Sequence, residues 1–335
     1  MKMIIFDFRE SEREFFERNE FKDFDITFIE EPLNEMSQLS EEQLRDTDVI
    51  SVFINSSLTE EVISKFKNLR VIATRSTGYN HIDTKYCTQR NIAVFNVEQY
   101  GHTAVAQYTI GLMIALVRKM FPAYFAMQKN LINYADYEGR DLKDMTLGIL
   151  GGGAIGGGVA KIANSLGMRV LVYSLKQSDE LKEFVEFVDY DELLKDSDVV
   201  SLHIPYTTET YHLFNAEAFN KMKDGVYIIN TARGELIDIV TLYENLMSGK
   251  VKGAALDVFE CENINLGGDI LNDIKNPNPK CVTNALITEK LLGLSNVILT
   301  PHIAYNTKEA VETLLRTSFN NIRDYTKGMD TNRVC

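Results

Sequence analysis

Short apolar runs separated by polar, helix-forming stretches recur along the whole chain. In the first hundred residues, strands are predicted by the runs MIIFDF, DITFIE, DVISVF, RVIATRS and IAVFN, and intervening helices by LSEEQLRD and TEEVISKFK. Six further strands are predicted by TLGIL, RVLVYS, VVSLHI, GVYIIN, GAALDV and NVILTP. Because strands that alternate with helices form parallel sheets, the pattern predicts an α/β protein with two parallel sheets.

Three longer stretches have other patterns. TAVAQYTIGLMIALV (Thr103–Val117) is apolar on most faces and too short to span a bilayer, so it predicts a helix buried in a core or a subunit interface. Residues 263–295 contain the turn-rich KNPNPK and predict an irregular surface excursion. The last thirty residues predict a helix that returns to the first domain.

Composition narrows the class of protein. The 335 residues are 45% hydrophobic and 25% charged, and the net charge of −13 argues against nucleic acid or a membrane surface as a partner. The four cysteines lack metal-ligand spacing, which predicts reduced thiols in a cytoplasmic protein. The first residues, MKMIIFDFRE, lack the apolar region of a signal peptide. We therefore expect a cytoplasmic protein that holds no metal.

The first strand of the second series runs into a glycine motif. Gly151, Gly153 and Gly156 fit the pattern G-x-G-x-x-G, with a strand before, a helix after and a second strand at the expected distance. The first glycine allows a tight turn, the second lets the backbone approach a pyrophosphate, and the third lets helix and strand pack closely. A flexible glycine loop without a ligand is the alternative interpretation.

The residue at the end of the second strand bears on the choice of cofactor. An acid there accepts hydrogen bonds from the adenosine ribose and repels a 2′-phosphate, but this chain has Ser174, with Lys176 two residues on. A serine hydroxyl can donate to a 2′-phosphate, and a lysine can pair with it. The expected cofactor is NAD or NADP, with a slight lean to NADP. Alternatively, Ser174 is a neutral replacement and Lys176 an ordinary solvated side chain.

Three stretches at predicted strand ends contain candidate catalytic residues: INTARGELID, ALDVFECE and LTPHIAYNT. Ligands bind at the carboxyl ends of strands in open α/β sheets, so we expect Arg233, Glu262 and His302 at one crevice. A guanidinium matches a carboxylate, and histidine serves as a general acid or base near neutral pH. The alternatives are a surface salt bridge for Arg233, a core histidine for His302, and Glu260 in place of Glu262.

These stretches, in this order, resemble the D-isomer-specific 2-hydroxyacid dehydrogenase family. RSTGYNHIDT (Arg75–Thr84) and VEQYGHTAVAQYTIGLMIAL resemble it as well, so the resemblance covers nearly the whole chain. Tyr100, the sequence FECEN and the long excursion before NVILTPH are similar to its D-lactate dehydrogenase branch, which includes the reductases of vancomycin resistance.

The resemblance implies a role for each candidate catalytic residue. Arg233 would hold the substrate carboxylate, and His302 would protonate the carbonyl oxygen during reduction. Glu262 would hydrogen-bond His302 and favour its imidazolium form. Asp257 would accept a hydrogen bond from the carboxamide of the nicotinamide.

Further site residues are implied by the resemblance alone, with ordinary loop and core packing as the alternative. The backbone of Thr77 and Gly78 would help to bind the substrate carboxylate. Phe53, Tyr100 and Tyr305 are candidates for the wall around the substrate side chain. Further cofactor contacts would come from Ala154, Ile155, Ile204, Pro205, Thr210, Thr231 and Ala232.

The resemblance also implies an architecture and a function. A Rossmann dinucleotide-binding domain (100–303) would be inserted in a flavodoxin-like substrate domain (1–99 plus 304–335), with the active site in the cleft between them. The implied protein is a homodimeric NAD(P)-dependent D-2-hydroxyacid dehydrogenase that reduces pyruvate or a similar small 2-oxo acid. Two alternatives stay open: a reductase of a larger 2-oxo acid, and a dinucleotide-sensing binding protein similar to the related corepressors.

Overall fold

The computed structural model describes residues 1–18, 22–98, 100–131, 133–262 and 278–335. These residues form two compact units. The first consists of Met1–Gly101 together with Thr307–Cys335, and the second of His102–Asn306.

The first unit is built on a parallel sheet of five strands, in the order β2-β1-β3-β4-β5. This is the flavodoxin-like order, as predicted. The apolar runs at the start of the chain all form strands: β1 (Lys2–Ile5), β2 (Asp25–Phe28), β3 (Val49–Val52), β4 (Val71–Thr74) and β5 (Ala93–Phe95). The helices between them are α1 (Arg13–Phe16), α2 (Glu41–Asp46), α3 (Glu60–Ser64) and α4 (Thr84–Gln89).

Both faces of this sheet are covered, which explains why β1, β3, β4 and β5 are buried along nearly their whole length. The edge strand β2 alternates instead, with Asp25 and Thr27 exposed. Met3 and Ile5 point into one core, whereas Ile4 and Phe6 point into the other.

The second unit is built on a parallel sheet of seven strands, in the order β12-β11-β10-β9-β6-β7-β8. Its strands are β6 (Thr146–Leu150), β7 (Arg169–Tyr173), β8 (Glu186–Phe187), β9 (Val199–Leu202), β10 (Val226–Asn230), β11 (Val251–Leu256) and β12 (Val297–Leu299). Six of them are the predicted strands, in the Rossmann arrangement. The sequence missed β8, because two residues are too few to show a strand pattern.

Helices cover both faces of the second sheet. In chain order they are α5 (His102–Val117), α6 (Met120–Gln128), α7 (Ala154–Ser165), α8 (Asp179–Lys182), α9 (Tyr190–Asp196), α10 (Ala216–Lys221), α11 (Ile239–Ser248) and α12 (Pro279–Leu292). Most of α5 is buried in the core that also contains α7. Within the described ranges no single helix is long and apolar enough to cross a membrane. Among the helices of these ranges, only α5 and α6 taken together have that length and composition, and they are bent by 63° relative to each other.

The excursion predicted over 263–295 is only partly irregular. Residues 263–277 lie outside the described part of the chain, and residues 279–292 form the regular helix α12. The side chain of Asn278 caps this helix by accepting from the backbone amide of Lys280, and Pro279 occupies its first turn. The turn-rich KNPNPK therefore includes a helix start.

The prediction that all four cysteines are reduced thiols is wrong for two of them. Cys261 and Cys281 form a disulfide, because α12 begins beside the loop that follows β11. Cys87, which is buried, and Cys335, which is half-buried, are thiols.

The C-terminal helix α13 (Lys308–Thr326) belongs to the first unit. It begins at Thr307, whose side chain accepts a hydrogen bond from the amide of Ala310. Its apolar side packs on the sheet face that holds Met3 and Ile5, through Leu315, Phe319 and Ile322.

Candidate active site

His302 and Glu262 form a hydrogen-bonded pair at the carboxyl ends of β12 and β11. The distance from Nδ1 of His302 to Oε2 of Glu262 is 2.8 Å, and both side chains are half-buried. The other carboxylate oxygen of Glu262 accepts the backbone amide of Phe259 at 3.0 Å. This second contact fixes the orientation of the carboxylate, so that one oxygen faces the imidazole.

Asp257 holds the turn on which His302 lies. The backbone of His302 has a left-handed conformation (φ 52°), and its amide donates to the carbonyl oxygen of Asp257 at 2.9 Å. The Asp257 carboxylate accepts from the Thr300 hydroxyl at 2.5 Å and from the amides of Ile303 and Ala304 at 3.0 and 2.8 Å. Burial raises the pKa of Asp257, while these hydrogen bonds lower it. A carboxylate has about four acceptor positions, so one is left for a further donor such as a carboxamide.

The loop of Arg233 lies directly against the loop that leads to Glu262. A Cβ atom on Gly234 would be 2.0 Å from the carbonyl carbon of Phe259 and 2.2 Å from the nitrogen of Glu260, so only glycine fits there. Asn230, the last residue of β10, donates to the carbonyl oxygen of Arg233 at 2.8 Å. Since β10, β11 and β12 are neighbours, their ends bring the three candidate stretches to one edge of the sheet.

Glu260, the competing acid, is engaged in a different network. Its carboxylate, 12% exposed, contacts Nε2 of His212 at 3.1 Å, Nζ of Lys280 at 2.5 Å and Nδ2 of Asn284 at 3.0 Å. Burial lowers the pKa of Lys280. Sequence reasoning missed Lys280 and Asn284, because they lie on α12 within the segment predicted to be irregular.

The glycine motif forms a cradle at the start of α7. Gly151 has φ 100°, and a Cβ atom on Gly156 would be 1.9 Å from the carbonyl oxygen of Gly151. Around Gly153, in contrast, a Cβ atom would meet nothing within 4 Å. Ala154 and Ile155 are the first helical residues, whose amides are unpaired at a helix N-terminus. The open space at Gly153 and these amides fit a pyrophosphate group.

Ser174 and Lys176 follow the end of β7. The Ser174 hydroxyl donates to the carbonyl oxygen of Lys176 at 2.8 Å, and the Lys176 side chain is exposed. Ser174 also lies beside the motif, since a Cβ atom on Gly152 would be 3.2 Å from its Cβ.

The other predicted cofactor residues lie in loops of the second unit. The Thr231 hydroxyl is 2.9 Å from that of Thr109 on α5, and Ala232 follows in the loop of Arg233. Ile204 and Pro205 come just after β9, and Thr210 donates to the carbonyl oxygen of Pro205 at 2.9 Å. Within the described ranges no three His, Cys, Asp or Glu residues converge as a metal site.

Tyr305 is the predicted wall residue that contacts the catalytic candidates. Its buried ring lies edge-on to that of His302, with a centroid distance of 6.4 Å.

The remaining predicted substrate residues lie in the first unit. The Thr77 hydroxyl donates to the carbonyl oxygen of Val97 at 2.8 Å, and the carbonyl oxygen of Gly78 accepts from Ser76 at 2.6 Å. Phe53 is buried just after β3, and Tyr100 is half-buried just before the end of the first segment of this unit.

Comparison with known proteins identifies the family of the chain. Residues 110–304 match the model of the D-isomer specific 2-hydroxyacid dehydrogenase, NAD binding domain. The chain belongs to the D-isomer-specific 2-hydroxyacid dehydrogenase family. As a member it is an NAD-dependent 2-hydroxyacid dehydrogenase, an oxidoreductase that acts on a CH–OH group.

Relatives within the family differ in substrate. An aromatic 2-oxoacid reductase of Clostridium sporogenes is 35% identical over 86% of each chain. A D-lactate dehydrogenase of Lactiplantibacillus plantarum is 32% identical over 97% of this chain and 96% of its own. The crystal structure of a D-lactate dehydrogenase from Aquifex aeolicus, complexed with NAD and lactic acid, superposes with a TM-score of 0.87 at 35% identity, covering 99% and 98% of the two chains.

Proposed function

We propose that this dehydrogenase reduces pyruvate, or a 2-oxo acid of similar size, to the D-2-hydroxy acid. The observation that carries the proposal is the Glu262–His302 pair, held by Asp257 at the strand ends where the Arg233 loop also lies. A carboxylate-binding cation and an oriented acid–base group are what reduction of a 2-oxo acid needs.

Each residue has a definite task in this reaction. Arg233 binds the substrate carboxylate through its planar, permanently charged guanidinium. Because Nδ1 of His302 is held by Glu262, Nε2 is the nitrogen that gives a proton to the carbonyl oxygen, or takes it back in oxidation. Glu262 stabilises the protonated imidazole before that transfer. NAD(H) in the glycine cradle supplies or accepts the hydride.

The aromatic residue beside the histidine supports a small substrate. The buried ring of Tyr305 lies edge-on to that of His302 and takes up space beside it. The similar D-lactate dehydrogenase complexed with lactic acid also supports a small substrate. Thr77 and Gly78, Phe53 and Tyr100 are the further substrate contacts that we propose from the first unit.

We propose NAD(H) as the preferred cofactor, against the lean to NADP(H) from the sequence. The proton of the Ser174 hydroxyl is used in its bond to the Lys176 carbonyl, so the oxygen is left as an acceptor for a ribose hydroxyl. The family model is that of an NAD-binding domain, and the similar D-lactate dehydrogenase of Aquifex aeolicus is complexed with NAD.

Two further assignments complete the proposal. The second unit serves as the cofactor domain and the first as the substrate domain. The protein forms a homodimer through α5 and α6, because α6 exposes Met120, Phe121, Tyr124, Phe125 and Met127 on its surface. Sedimentation of the protein at micromolar concentration measures the mass, and a monomer contradicts this assignment.

Initial rates of 2-oxo acid reduction test the function. Pyruvate and phenylpyruvate are compared, each with NADH and NADPH at equal concentration, and the chirality of the product is determined. We expect higher kcat/KM for pyruvate, preference for NADH, and a D product. A higher kcat/KM for phenylpyruvate assigns the aromatic substrate class instead. Tight NADH binding without turnover of any 2-oxo acid contradicts the enzymatic role.

The double variant Ser174→Asp with Lys176→Ala tests the cofactor assignment. We expect activity with NADPH to fall further while activity with NADH is kept, because an acid at this position repels a 2′-phosphate. A wild-type preference for NADPH that this variant abolishes contradicts the assignment to NAD(H).

A further inference from the structure

The disulfide lies immediately beside the catalytic pair in sequence. Cys261 precedes Glu262, and Cys281 is the third residue of α12. Both cysteines are half-buried, so a thiol reagent can reach the bond from solvent.

The same helix also holds Glu260 through polar contacts. Lys280 and Asn284, one helical turn apart on α12, both contact the Glu260 carboxylate. Residues 260 and 261 are therefore tied to α12 by two polar contacts and one covalent bond, directly before the residue that orients His302. Loss of the disulfide or of either polar contact gives the Glu262 backbone more conformational freedom.

We propose that the Cys261–Cys281 bond is a thiol–disulfide modification site that sets how firmly Glu262 holds His302. Its reagent is a dithiol, either a small molecule or a redox protein, and the oxidised form is the more active enzyme. The inference rests on the proposed function, because it assigns Glu262 and His302 to proton transfer.

The dithiol supplies the two electrons and two protons that reduction of the Cys261–Cys281 bond requires. A thiolate of the reagent attacks Sγ of Cys261, the Cys261–Cys281 bond breaks, and Cys281 leaves as a thiolate. Cys281 is the better leaving group, because its thiolate lies in the first turn of α12, where the helix N-terminus favours negative charge. The second thiol of the reagent then attacks the mixed disulfide and releases Cys261. The protein gains two electrons and two protons, and the reagent becomes a disulfide.

Reduction is expected to weaken activity without abolishing it. The contacts of Glu260 with Lys280 and Asn284 do not involve sulfur, so they continue to hold the segment after the disulfide opens. Glu262 then spends part of its time away from His302, which lowers the rate of proton transfer. Substrate binding by Arg233 is affected less, because that loop is held by Asn230.

The test compares the enzyme after oxidation with oxidised glutathione and after reduction with dithiothreitol. Thiol titration of the unfolded protein should count two free thiols in the first form and four in the second, which leaves Cys87 and Cys335 free in both. We expect reduction to lower kcat by about tenfold, which is less than the 10²–10⁴ that acid–base catalysis typically contributes, because the contact is loosened and not lost. KM should change less than kcat, and the alkaline limb of the pH profile of kcat/KM should move to lower pH.

Two variants separate this effect from a general loss of structure. The double variant Cys261→Ser with Cys281→Ser should have the reduced-form kcat under both conditions. Cys335→Ser, in the first unit, should respond to dithiothreitol as the wild type does. Four free thiols after oxidation, or equal kcat and equal pH profiles in both forms, overturn the proposal. Absence of turnover in both forms instead contradicts the proposed function.

Discussion

Nδ1 of His302 and Oε2 of Glu262 are 2.8 Å apart, although 40 residues separate them in the chain. They meet because β11 and β12 are adjacent parallel strands whose carboxyl ends lie together. The backbone amide of Phe259 donates a hydrogen bond to the other oxygen of the same carboxylate, Oε1. Proton transfer by His302 therefore depends on a contact whose geometry comes from the sheet.

Replacing this acid by its amide tests its electrostatic role. In Glu262→Gln the side chain keeps its size but loses the charge that stabilises a protonated imidazole. We expect kcat/KM for 2-oxo acid reduction to fall by about 10²-fold, the lower end of what acid–base catalysis is typically worth. The alkaline limb of the pH profile should move to lower pH. Steady-state rates between pH 5 and 9 measure both effects.

Glu289→Gln is the matched control for this change. Glu289 is exposed on α12, away from the end of the helix that contacts Glu260. Its kcat/KM and pH profile should match those of the wild type. A loss of rate in Glu262→Gln without any movement of the profile would assign Glu262 to packing alone.

The turn that carries His302 depends on the donors around Asp257. Thr300→Val removes the hydroxyl that donates to Oδ1 at 2.5 Å and leaves a buried carboxylate with one partner fewer. The loss of a partner to a buried polar group costs about 1–3 kcal/mol, so the free energy of unfolding should fall by that amount. Denaturant titration measures it.

Thr283→Val provides the comparison for Thr300. The hydroxyl of Thr283 is exposed and donates to the carbonyl oxygen of Pro279 within α12. Its removal should change the free energy of unfolding by less than about 0.5 kcal/mol, as for most surface substitutions. Equal losses in the two variants would show that the Asp257 contact contributes no special stability.

Much of this fold could be predicted because parallel α/β sheets leave a simple pattern. All five strands of the first sheet lie within the predicted runs, and four of them are buried because helices or loops cover both faces. Glu262, Arg233 and His302 could be proposed because each follows a strand, and parallel strands end at one edge of a sheet. The strand β8 and the helix α12 could not be predicted from the pattern of apolar residues. The first has two residues, and the second begins within a sequence typical of turns.

Contacts made by α12 could not be predicted for a different reason. Its position beside the loop after β11 results from tertiary packing, which local sequence does not encode. The Cys261–Cys281 bond and the contacts of Glu260 with Lys280 and Asn284 all depend on that position. The prediction of reduced cysteines was wrong for the same reason.

Two half-buried histidines should make the protein sensitive to acid. Burial lowers the pKa of His81 to about 4 and that of His203 to about 3, against about 6.5 in an unfolded chain. Between the folded and unfolded pKa values the unfolded chain binds more protons than the folded one. The contribution of these histidines to the free energy of unfolding is therefore complete above pH 6.5 and falls as the pH drops towards 4. For His81 the loss across this window is about 3 kcal/mol, at 1.36 kcal/mol per pH unit.

His81→Asn should remove part of this sensitivity. The amide can keep a hydrogen bond to the Thr74 hydroxyl, which lies 3.1 Å from Nε2 of His81, but it takes up no proton in this range. The slope of unfolding free energy against pH, measured by urea titration from pH 4.5 to 7, should be shallower than in the wild type. Identical slopes in the variant and the wild type would contradict a neutral, half-buried His81.

Two glycines of the cradle, Gly153 and Gly156, should separate cofactor binding from folding. Gly153→Ala places its methyl group where no protein atom lies within 4 Å and where φ is −72°, so the melting temperature should stay within a few degrees of the wild type. The same methyl group fills the space that fits the pyrophosphate. We therefore expect the Kd for NADH to rise by about tenfold or more, which corresponds to 1.4 kcal/mol.

Gly156→Ala should behave differently, because its methyl group would be 1.9 Å from the carbonyl oxygen of Gly151 and must displace the turn itself. It should lower both the melting temperature and the affinity. NADH fluorescence titration with a thermal melt on each variant measures the two effects, and an unchanged Kd in Gly153→Ala would place the dinucleotide elsewhere.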